Sequence, residues 1–278
     1  MNSRQAQDVI LRLLADGPFR ASVMADAAAQ GADVAAVARG VDMAALDRFG
    51  RFLCRHYYRE RIVHYFKYAR ALAPMTDRPP EVVLKSAEFK ALMPRLILGE
   101  RTSAQAVADL LKAHLTREAE AIRAAIPFWD DLVAYQAVFF LSDARPAASE
   151  ARRYPTRAES TTLLELEWDL PAVLPALLRP FSRLPMPPRQ RTRLLFARSP
   201  EGEVTVVRCN DALRDLLEGL TGDVEPASLA ARLGLDAASL EKTLRQLERL
   251  GAIIAQGSFS SSHVGSEPAD ATTARKYP

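Results

Sequence analysis

Apolar residues in the first half of this chain recur at three- and four-residue spacing, the period of a helix with one buried face. Val9, Ile10, Leu13 and Leu14 form such a stripe near the start, and the aromatic-rich stretch 48–72 reads as one long amphipathic helix. Residues 80–99 read as a helix pair, or one helix broken at Pro94. The next helix carries Val107, Leu110, Leu111, Leu115 and Ile122 on one face. Thr102 and Gln105 stand at the spacing of a capping box at its start. A last helix follows Pro127.

The period then changes. Residues 145–160 are polar and without pattern, and read as a linker. Leu164, Leu166 and Trp168 alternate with Glu165, Glu167 and Asp169, the period of a half-buried strand. Six prolines between Pro171 and Pro188 rule out a long regular helix and suggest a connector along the surface. Two apolar runs, Leu194–Ala197 and Val204–Val207, flank the turn sequence Ser199-Pro200-Glu201-Gly202, so a β-hairpin is expected. Asn210 caps a helix bearing Leu213, Leu216, Leu217 and Leu220. Pro226 opens a second, and Asp236 caps a third, striped by Leu240, Leu244 and Leu247. Gly234 suits the tight turn between the last two helices, and Gly251 suits the stop before a short strand at Ile253–Ile254. The tail after Gln256 is poor in apolar residues and reads as disordered.

The expected fold class is therefore mainly α with a C-terminal α+β winged helix-turn-helix domain. Its parts are a helical domain over 1–144, a linker, strand and Pro/Arg-rich connector over 145–190, the winged-helix unit over 191–256 and a tail over 257–278. A length of 278 residues suits two such domains. The net charge of +3 is too small to declare a polyanionic partner. Two distant cysteines, Cys54 and Cys209, suggest no disulfide framework and point to a reducing cytoplasm. The start lacks the apolar core of a secretory signal, and no run is long enough to span a membrane.

Charge changes the picture in two places. The third C-terminal helix balances Asp236, Glu241 and Glu248 against Lys242, Arg245 and Arg249, which is poor for a phosphate backbone. Six arginines between Leu170 and Pro200, among them Arg189, Arg191 and Arg193, have no acidic residue between them. They would attract an acidic peptide or a phosphate backbone, or simply solvate a connector.

Candidates for chemistry are few. His56, Glu60 and His64 could share one helix face, as metal ligands or as an ordinary hydrogen-bonded surface. His114 falls on an apolar stripe, where a satisfied histidine is expected, and His263 lies in the tail. Neither cysteine has an evident base nearby in sequence. There is no phosphate loop, no nucleophile elbow and no CxxC pair. No catalytic residue is assigned.

The order hairpin, three helices, short strand over about 65 residues resembles the PqqD-like peptide-recognition domains of ribosomal-peptide pathways. In that family a leader peptide adds as an extra strand beside the hairpin and the third helix. With the upstream segments "YYRERIVHYFKYARAL", "PFWDDLVAYQAVFFL" and "LELEWDLP", the whole chain resembles the partner subunits of multinuclear non-heme iron-dependent oxidases of the methanobactin and 3-thiaglutamate pathways. The resemblance implies a non-catalytic partner that binds the leader of a precursor peptide, presents its cysteine and docks on the oxidase. Iron would reside on the oxidase, with no cofactor or metal on this chain and no nucleic-acid or membrane partner. The implied groove comprises Glu203, Val204, Thr205, Val206 and Val207 on the strand, with Leu240, Thr243, Leu244 and Leu247 facing it. Arg189, Arg191 and Arg193 would steer the peptide, and the aromatic segments of the helical part would meet the oxidase. The alternative is a winged-helix transcription regulator with a helical sensing domain, whose mark would be excess Lys and Arg on the third helix. An enzyme in its own right is a third class.

Overall fold

The computed structural model describes residues 3–145 and 152–255. The tail 257–278, with His263, lies outside the described residues, as does the 146–151 part of the stretch read as a linker. The protein is mainly helical, with a small sheet towards the C-terminus. Among the described residues no helix is long and apolar enough to cross a membrane.

The helical half runs α1 (Ser3–Ala15), α2 (Gly17–Ala25), α3 (Ala32–Gly40), α4 (Met43–Tyr65), α5 (Lys67–Ala71), α6 (Ala73–Thr76), α7 (Ala87–Leu92), α8 (Arg101–Thr116), α9 (Glu120–Ala125) and α10 (Trp129–Ser142). Of the expected stripe, Val107, Leu111 and Leu115 are buried on α8, which packs against α10; α8 ends at Thr116, so Ile122 lies on α9 rather than on the same helix. α1 to α3 enclose a separate small core around Leu13, Phe19, Val23, Val34 and Val37. Two further expectations need correcting. The long helix over 48–72 breaks at Phe66, because the buried Gln136 side chain accepts from the Tyr68 and Ala69 N–H groups at 3.0 and 3.1 Å and so caps α5 from α10. Thr102 does not cap α8 either. The helix begins earlier, with Glu100 at the N-cap position accepting from the Ser103 hydroxyl at 2.8 Å.

The sheet consists of β2 (Thr162–Leu166), β3 (Thr192–Arg198) and β4 (Val204–Arg208) in antiparallel order, with Leu164 opposite Leu194 and Val206 opposite Phe196. A two-stranded pair joins β1 (Thr156–Arg157) to β5 (Ile253–Ile254). Thus the described end of the 145–160 stretch is tied down; Tyr154 N–H also donates to Gly222 O at 3.0 Å. The proline-rich connector holds a one-turn helix, α11 (Leu174–Leu177), whose Leu174 and Leu177 reach the main core.

Three helices follow β4: α12 (Asp211–Gly219), α13 (Pro226–Leu233) and α14 (Ala237–Arg249). Their caps match the sequence reading. Asn210 accepts from Leu213 N–H at 2.9 Å, and Asp236 from Ser239 N–H at 2.8 Å. Gly234 and Gly251 adopt φ of 65° and 72° after α13 and α14.

β3 decides how the two halves meet. Strand side chains alternate between faces, and on β3 both faces are covered. Leu194 and Phe196 enter the main core with α4, α8 and α10, while Leu195 and Ala197 enter the core of α12 to α14. Tyr135 and Phe139 of α10 hold the Phe196 ring edge-on, with centroids 5.4 and 6.1 Å away.

Candidate peptide-binding cleft

The hairpin turn is built as its residues require. Gly202 takes φ of 96°, its N–H donates to Ser199 O at 2.9 Å, and Ser199 N–H donates to Glu203 O at 2.8 Å. The β3–β4 ladder then continues to Cys209, whose N–H donates to Arg193 O at 2.9 Å. In an antiparallel pair, residues with inward and outward backbone groups alternate. Glu203, Thr205, Val207 and Cys209 therefore face β3 with their backbone groups, and Val204, Val206 and Arg208 direct theirs to the other side. Among the described residues no strand pairs with that outer edge. Thr205 thus has its donor committed to the hairpin, and the donors offered outward are those of Val204, Val206 and Arg208.

A cleft of about 520 Å³ opens at the Arg208 end of β4. Leu213 and Leu216 of α12, Leu235 of the turn before α14 and Thr243 of α14 line one side; Arg191, Arg193 and Arg208 lie on its polar side. Of the residues assigned to a groove, Thr243 lines this cleft, Val204 to Val207 are half-buried along the edge strand, and Glu203 is exposed beside the turn. Leu240, Leu244 and Leu247 are 2–3 % exposed and belong to the small core. Their spacing marks the inner face of α14, which is packing surface; one helix position further round, at Thr243, is where α14 meets the cleft.

The three steering arginines are not bare. Arg193 bonds Glu165 and Asp211 at 2.7 Å each, and Arg191 bonds Glu165 at 2.6 Å. Arg189 lies 3.6 Å from Glu167, with its guanidinium 5.8 Å from the Trp168 ring centre. Hydrogen bonds from Arg193 and Arg191 hold the Glu165 carboxyl below the usual range, and Arg193 does the same to Asp211. The acids come from β2, the residue just after it and α12, outside the arginine-rich stretch, so a linear count of charges missed them. Arg208 Nη2 donates to both Asp169 carboxylate oxygens, at 2.7 and 2.8 Å, a pair that sequence reading did not single out. The signal available for Arg208 was only its place at the end of an edge strand.

The other candidates fall elsewhere. Burial pushes the Cys54 thiol up to about 11 and raises that of Cys209, so neither is a ready thiolate. His114 is half-buried, with Nε2 3.3 Å from Pro79 O. His56 stacks on Phe52 and His64 meets Tyr65 edge-on. Among the described residues no group of three or more His, Cys, Asp or Glu could hold a metal ion. The aromatic segments assigned to docking are largely interior: Tyr58, Phe66, Phe128, Trp129 and Phe140 are at most 1 % exposed. No family model matches the chain, and no curated protein matches it.

Proposed function

We propose that this chain is the non-catalytic partner of a non-heme iron oxidase in ribosomal-peptide modification. Its C-terminal winged-helix, PqqD-like unit captures the leader of a precursor peptide, so that a cysteine of that peptide reaches the iron on the oxidase, in the cytoplasm. The observation that carries this reading is the open outer edge of β4, whose Arg208 end reaches a cleft with leucines on one side and arginines on the other, beside α12 and α14. An edge with unpaired N–H and C=O groups recruits an extended peptide, and an adjoining pocket selects its side chains. Val204, Val206 and Arg208 supply the backbone groups; Leu213, Leu216, Leu235 and Thr243 supply the pocket. Arg208 and Arg191, whose side chains are 56 % and 78 % exposed, can exchange their present carboxylates for one on the peptide. The regulator reading has less support, since Arg245 on α14 is already paired with Glu241 at 3.3 Å and the helix carries no excess of positive charge.

The test is binding of a fluorescent leader peptide, followed by anisotropy, with the peptide N-methylated at one amide at a time. A peptide that adds as a strand loses affinity at alternate positions, because only every second amide faces β4. Val204→Pro, which removes an outward donor while keeping the hairpin bonds, weakens binding about five- to tenfold, at roughly 1–1.4 kcal/mol for a lost hydrogen bond. Uniform tolerance of N-methylation, or sequence-specific retention of duplex DNA at physiological salt, contradicts the reading.

A further inference from the structure

The longest helix has an outer face that nothing else in the fold uses. α4 buries Gly50, Cys54, Tyr58 and Ile62 on its inner side. On the opposite side Phe49 and Phe52 stand 50 % and 60 % exposed. The rings of Phe49 and Phe52 stack with centroids 6.1 Å apart and planes 15° from parallel, and His56 continues the stack at 6.1 Å and 5°. Spacings of three and four residues place the three rings in one line along the helix. Arg48, Arg55 and Arg59, one or two turns apart, share one flank of that line and are exposed. Among the described residues none of these three forms an ion pair, whereas Arg189, Arg191, Arg193, Arg208 and Arg214 near the cleft all do.

We propose that this face is a docking surface for a partner protein that offers an apolar slot rimmed by Asp and Glu. Resting on the function proposed above, that partner is the oxidase. Charge complementarity selects the chemistry: three unmet guanidiniums beside two exposed phenyl rings suit carboxylates around an apolar groove. Aromatic and arginine side chains are also the types that most often dominate binding energy. A second copy of this chain fits poorly, because a two-fold contact through this face sets like arginines against one another. Single-stranded nucleic acid fits less well too. Glu60 stands next in line after His56, where it would repel a phosphate backbone.

The experiment uses the full chain and its purified oxidase, with p-benzoylphenylalanine replacing Phe52 for photo-crosslinking. Two further variants, F49A/F52A and R55E/R59E, are titrated against the oxidase and, separately, against leader peptide. The expected results are a crosslink to an acidic, apolar segment of the oxidase, oxidase affinity at least tenfold weaker in both variants, and leader affinity unchanged. The arginine variant also flattens the salt dependence of association. A wild-type complex that forms while both variants bind the oxidase normally overturns the surface and leaves the proposed function standing. So does a crosslink to nucleic acid or to a second copy. Failure of the wild-type chain to bind the oxidase overturns both.

Discussion

Gly251 occupies the tightest spot near the sheet. Its φ is 72°, and a Cβ placed there would lie 1.9 Å from Arg198 O at the end of β3. Gly251→Ala adds a left-handed penalty of about 1–2 kcal/mol to an overpacking cost of roughly 1–3 kcal/mol. Gly234→Ala, with φ of 65° and open space around it, carries only the first. Thermal unfolding of the two variants should separate them clearly, and equal losses would contradict the close approach. Both glycines were legible in the sequence as helix stops. The contact with Arg198 O was not, since it joins residues more than fifty positions apart. The same limit governs the cleft: Asn210 and Asp236 announce themselves as caps through local chemistry, while the pairing of Arg208 with Asp169 depends on how the sheet and connector fold together.

His114 gives the chain a pH dependence of defined sign. Burial lowers its pKa, with Arg78 and Arg117 adding to the effect against the opposing bond to Pro79 O. The folded state therefore prefers the neutral ring. Its contribution to stability is complete above the unfolded value of about 6.5 and is lost as pH falls through the lower folded value. Melting temperature should decline as the pH is lowered from 7 to 5, and His114→Gln should flatten that decline; a variant with the same slope would place the titration elsewhere.

At the scale of elements, some helix ends depend on partners that no local pattern reveals. α4 stops at Phe66 because Gln136, a residue of α10, supplies the acceptor for α5. The apolar period of 48–72 continues through the break, so the sequence alone reads one helix. Gln136→Leu keeps the volume but leaves two buried donors unmet, each worth about 1–3 kcal/mol. We expect a loss of at least roughly 2 kcal/mol in denaturant unfolding; a neutral substitution would show that the break has another cause. Strands were read more securely. The hairpin and its turn lie where the two apolar runs put them, β3 being covered on both faces, and the alternating strand ends at Leu166, short of Trp168. α14 shows the converse. Its leucine stripe is visible in the sequence, but a stripe says only which face is covered, and the cover is the small core, so Leu240, Leu244 and Leu247 are unavailable to a ligand.

In the whole molecule, β3 contributes to the cores on both sides, which makes the cleft and the helical half mechanically dependent. Phe196→Ala removes the ring held by Tyr135 and Phe139 and should cost about 3–5 kcal/mol, in one transition seen alike by probes in either half. For the same reason, excising 192–255 would strip Leu194 and Phe196 from the main core, and point variants are the sound way to separate leader capture from docking. On our account the β4 edge takes the leader and the outer face of α4 takes the oxidase, so a single chain brings peptide and iron together. The most direct measurement is mass spectrometry of the precursor after aerobic incubation with iron and oxidase, with and without this chain. The account predicts the oxidative mass change at the precursor cysteine only when both chains are present, and its loss with Val204→Pro. Full modification by the oxidase alone would contradict it.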